Sequence, residues 1–161
     1  MDQIESLCRV LEEETRVCGV LTRVLRAEQD AVVQLRPEAI VACLEERQAV
    51  QDTLAGLAEA RRAIVSDLAR RFGGAASSAT SLVPHLPLEQ QDVVRSAVKD
   101  LRRALLAARS LERQNAILVG SSADHVNDLL AALRALVPGT RYDATARIDA
   151  PSPTEQVDRR A

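Results

Sequence analysis

The chain has 161 residues, a formal net charge of −2 and two aromatic residues, Phe72 and Tyr142, so its interior must be built from Leu, Val, Ile and Ala, the residues of helix seams rather than of α/β cores. The near balance of 21 basic against 23 acidic side chains lacks the basic excess of a general nucleic-acid binder, and that partner is disfavoured. No apolar run is long enough for a membrane span and the N-terminus lacks the apolar region of a signal peptide, so a cytoplasmic protein without stable membrane insertion is expected. Cys8, Cys18 and Cys43 match no zinc spacing and read as reduced, small apolar residues.

The first helix is expected over about residues 2–35. Ile4, Leu11, Cys18, Leu25 and Val32 occupy one heptad position, and Leu7, Leu21 and Leu35 occupy the other. Glu14 and Glu28 interrupt the second position, while Val10, Val17 and Val24 widen the stripe enough to meet two neighbours. Arg36-Pro37 breaks the run, because proline removes a backbone donor and disfavours helical geometry in the residue before it. Pro37 also suits the first turn of a second helix, over 37–72. Ile40, Cys43, Leu44, Val50, Leu54, Leu57, Ile64 and Leu68 form its stripe, and so short a connection folds it back antiparallel on the first. Arg47 and Arg61 share that stripe, their stems buried and their heads reaching solvent or Glu14 and Glu28.

Gly73-Gly74 ends the second helix, and residues 73–86, rich in Ala, Ser, Thr and Pro, read as a mobile connection. The third helix runs from about 88 to 137. Read as one element of about 50 residues, it spans roughly 75 Å, against about 35 residues in each partner. Side by side, a turn or more would project, carrying Val126, Leu129, Leu130, Leu133, Leu136 and Val137, and an uncovered apolar stripe needs a partner. Glu112, Asn115 and Ser122 make the seam polar in its middle, and Gly120 weakens the helix locally. Pro138-Gly139 terminates it, and residues 138–161 read as a flexible tail, with disorder expected beyond about residue 148. The expected architecture is an all-α, elongated three-helix bundle formed by an antiparallel hairpin and a long third helix.

Two helices joined at Pro37-Glu38-Ala39-Ile40, a glycine-ended second helix, and a long third helix bearing Asn115, Leu118 and Ser122 before a leucine-rich end and Tyr142 together resemble the FlgN family of flagellar export chaperones. The resemblance covers roughly residues 5–145. It implies a cytosolic, non-enzymatic helical protein that binds the hook–filament junction proteins FlgK and FlgL, keeps them unassembled and escorts them to the export gate protein FlhA. It also implies client contact in the Asn115 segment and gate docking at Tyr142. One departure is that Asp143-Ala144-Thr145-Ala146 follows the tyrosine, where the family often has a glycine.

On the residues themselves, Asn115 reads either as a polar seam residue that fixes register or as a client contact. The apolar run Val126, Leu129, Leu130, Leu133 and Leu136 reads as a client site, or as a surface covered by the 73–86 connection or by a second copy in a homodimer. Tyr142 is a binding anchor or packs on the end of the last helix. His125 with Asp128 supplies at most two metal ligands, because Asp124 points elsewhere. No nucleophile elbow or phosphate-binding glycine loop is present, so no catalytic residue, metal or cofactor is expected. The function favoured is capture of a client's C-terminal helical segment; the rival is a structural, homodimeric coiled coil.

Overall fold

The computed structural model describes residues 3–72 and 76–136, the side chains of 133–136 excepted. Val137, Gly73-Gly74, Tyr142 and the expected tail lie outside the described residues, as do the side chains of Leu133 and Leu136. Four α-helices and no strand occur among the described residues: α1 Gln3–Val33, α2 Pro37–Phe72, α3 Ala79–Leu82 and α4 Leu88–Leu136, with one 3-10 turn at Val83–His85. The chain divides into a unit up to Gly120 and a second from Ser121.

In the first unit α1 is the central element. Ile4, Leu7, Leu11, Val17, Cys18, Leu21, Val24, Leu25, Ala31 and Val32 are buried along it, the wide stripe that a helix between two neighbours requires. The hairpin register is set by charge: Arg61 pairs with Glu14 and Arg47 with Glu28, so two heptads up α1 match two heptads down α2. The α4 helix runs parallel to α1 instead. Val94 and Leu101 pack with Ile4, Leu7 and Leu11, Ala108 packs with Leu21 and Leu25, and Asn115 meets Leu25. Val94, Leu101, Ala108 and Asn115 are the buried positions of α4 among its described side chains, spaced by seven as a coiled-coil seam demands.

Two features differ from the sequence-based expectation. The α1 helix stops at Val33, two residues short, because Leu35 adopts φ 51. The Leu35 N–H then donates to the Val32 carbonyl (3.1 Å) and that of Arg36 to the Ala31 carbonyl (3.0 Å), the bonding of a Schellman terminus that usually places glycine at this position. Leu35 is 79% exposed rather than in the seam. The second difference lies within 73–86, whose composition reads as a mobile connection. There Ser78 and Ser81 form a reciprocal capping box at the start of α3, and Ala79, Leu82, Val83 and Leu86 are buried against Leu7, Leu68 and Val94. This segment closes one end of the core.

Candidate functional site

At the opposite end of the hairpin the packing turns polar. Arg47 Nη1 donates to both carboxylate oxygens of buried Glu28, at 3.1 and 3.0 Å. Asn115 Nδ2 donates to the Leu25 carbonyl at 2.8 Å and lies 3.4 Å from Glu28 Oε2. Gln51 Nε2 donates to Glu112 Oε1 at 3.2 Å. Each bond joins two of the three helices, so the layer aligns them, and the Leu25 contact supports a register role for Asn115. Its account is incomplete, however: Asn115 is 3% exposed and its Oδ1 accepts nothing. A buried unpartnered acceptor costs roughly 1–3 kcal/mol.

Two heptads away, Glu14 is buried and accepts from Arg61 Nη1 at 3.0 Å. Burial pushes its carboxyl above the usual range, while the Arg61 guanidinium pulls the other way.

Beside the Asn115 layer a groove of about 310 Å³ opens between α2 and α4. It is lined by polar Glu28, Arg47, Glu112 and Asn115 and by apolar Ile40, Leu44, Ala116 and Val119. It exists because α2 is poorly seated along its first part: its buried residues are Val65, Leu68 and Ala69, all near its C-terminal end. Leu44 and Val119 in its lining are consequently exposed.

In the second unit, Ser122 is half-buried and the other described side chains, 121 and 123–132, are exposed. Val126, Leu129 and Leu130 are 55%, 58% and 44% exposed, a concentration of apolar surface on two helical turns. Of the residues singled out in the sequence, Val126, Leu129 and Leu130 are therefore open to a partner, Leu118 and Ser122 are half-buried, and Asn115 is inside. The groove was not anticipated. Ile40 and Leu44 carry the period of a seam, and only the polar run opposite them in α4, Glu112 and Asn115, signalled that the seam would not close. No group of three or more metal-ligating side chains comes together among the described residues, and none of the described helices is long and apolar enough to cross a membrane.

The family model described as FlgN protein matches residues 1–149 of the chain. No curated protein and no solved structure matches it.

Proposed function

The chain belongs to the FlgN family of flagellar export chaperones, and from that premise we propose that it binds, in the cytoplasm, the C-terminal helical segments of hook-associated proteins of the FlgK and FlgL kind. The observation that carries this reading is the exposure of Val126, Leu129 and Leu130 on one helix. A client segment that is disordered before assembly lays its apolar face on such a helix, hiding the surface through which it would polymerise. The client's ordering cost keeps the complex weak enough to release. Leu133 and Leu136 extend the same run in sequence, and Tyr142 is assigned to docking on an FlhA-like gate protein.

Calorimetric titration with the C-terminal fragment of a FlgK- or FlgL-like protein from the same genome tests the assignment. Replacing Leu129 and Leu130 together by glutamate should abolish binding, because a carboxylate placed in a desolvated contact loses hydration without gaining a partner. Tyr142→Ala should leave client affinity intact and reduce export. The rival reading, a homodimer through the same exposed residues, predicts instead that the double-glutamate variant dissociates a wild-type dimer in analytical ultracentrifugation while no client fragment binds.

A further inference from the structure

In the groove between α2 and α4 the acceptors outnumber the donors. Glu28 and Glu112 bring two carboxylates and Arg47 one guanidinium, and that guanidinium is held by Glu28. Glu112 accepts from the neutral amide of Gln51 and makes no ion pair among the described residues. Asn115 commits its Nδ2 to the Leu25 carbonyl and to Glu28, which fixes the amide orientation and leaves Oδ1 buried with nothing to accept. Around these groups stand Ile40, Leu44 and Val119, the last two exposed.

An apolar occupant would cover the groove but strip water from Glu112 without offering a cation, an unfavourable burial. An acidic one would be repelled. A guanidinium or ammonium carries several donors and no acceptor, and bonds it makes to a carboxylate are charge-assisted, roughly twice as strong as neutral ones. We propose that this groove takes a client helix whose apolar face carries one Arg or Lys. Its apolar side chains cover Ile40, Leu44 and Val119, and its cation meets the half-buried carboxylate of Glu112. The proposal rests on the chaperone reading and adds the chemistry of the client face.

The test is calorimetric titration of the full chain with the C-terminal fragment of the FlgK- or FlgL-like protein. Wild type is compared with Glu112→Arg, Glu112→Gln and Val119→Glu, and the parent fragment with fragments in which each Arg or Lys is changed to Met in turn. Glu112 is only half-buried and Val119 is exposed, so all three variants keep the fold, verified by their thermal unfolding. Glu112→Arg and Val119→Glu should each weaken binding at least about tenfold. One Met fragment should lose a similar factor against wild type and nothing further against Glu112→Gln, the non-additivity of a direct contact. Unchanged affinity in Glu112→Arg and Val119→Glu, with binding still lost when Leu129 and Leu130 become glutamate, overturns the groove and leaves the chaperone reading intact. Weakening by Glu112→Arg while every Met fragment binds like the parent overturns the cation. A parent fragment that does not bind the wild-type chain overturns both readings.

Discussion

Replacing Arg61 by Met should destabilise the folded chain by about 2–3 kcal/mol at pH 8. The Glu14 side chain is 4% exposed and depends on a guanidinium 3.0 Å away. At an effective dielectric near 20, unit charges about 4 Å apart interact by about 4 kcal/mol. Removing one member of a buried pair usually costs roughly 3–5 kcal/mol, since the other charge is left uncompensated. The Arg61 side chain is 27% exposed, so water reaches part of the vacated space and the cost falls to the lower end of that range or somewhat beneath it. Urea titration gives the free energy, and a fall in Tm of about 5–10 °C should accompany it.

The cost should depend on pH in a definite direction. Glu14 already sits above its ordinary value of 4.5 through burial, and losing Arg61 raises it further. A carboxyl raised in the folded state favours folding below its unfolded value and loses that advantage as pH rises through the folded value. The variant should therefore approach wild type near pH 4.5 and fall furthest behind at pH 8. The double variant Glu14→Leu/Arg61→Met should recover most of the loss, as buried pairs replaced by apolar residues commonly do. An Arg61→Met cost below about 0.5 kcal/mol, or one that does not change with pH, would refute the burial of Glu14 as the cause.

Leu35→Gly should stabilise the chain by about 0.5–1 kcal/mol, because it relieves a left-handed backbone at the end of α1; Leu35→Ala, which keeps a Cβ, should gain nothing in the same denaturant titration. Ser78→Ala removes the cap of α3 and should cost about 1 kcal/mol, with faster cleavage of residues 76–86 in limited proteolysis. Cys18 is fully buried and its thiol is pushed up by burial, with Glu14 adding to the effect; in a Cys8→Ser/Cys43→Ser background it should react with Ellman's reagent at pH 8 only upon unfolding. Glutamate at both Leu129 and Leu130 should move the thermal midpoint by less than about 2 °C, since neither side chain is buried.

The parts of the fold that follow from period were legible in the sequence. The α1 stripe declared two neighbours through its width, and Glu14, Glu28, Arg47 and Arg61 stood in the seams where the structure pairs them. Elements too short to show a period were not: α3 has four residues, and its capping box closes with a serine at the position where Glu or Gln marks the usual motif. The end of α1 was misplaced because Leu35 continues the heptad, and only the backbone bonds of the turn reveal its left-handed conformation. At the candidate site, the apolar run Val126, Leu129 and Leu130 was visible in the sequence, and these side chains are exposed in the second unit. The bond from Asn115 to the Leu25 carbonyl was not visible, since a backbone acceptor has no sequence signature. The α2–α4 groove was hidden for a related reason: Ile40 and Leu44 keep seam spacing whether or not the facing helix comes close enough to bury them.

Secretion measured in the chain's own host tests the central claim most directly. Deleting the gene should leave FlgK- and FlgL-like proteins depleted from the culture supernatant, while other flagellar exports continue. Wild-type chain supplied in trans should restore them, and the variant with glutamate at Leu129 and Leu130 should not. Normal amounts of both proteins in the supernatant of the deletion strain would contradict the account.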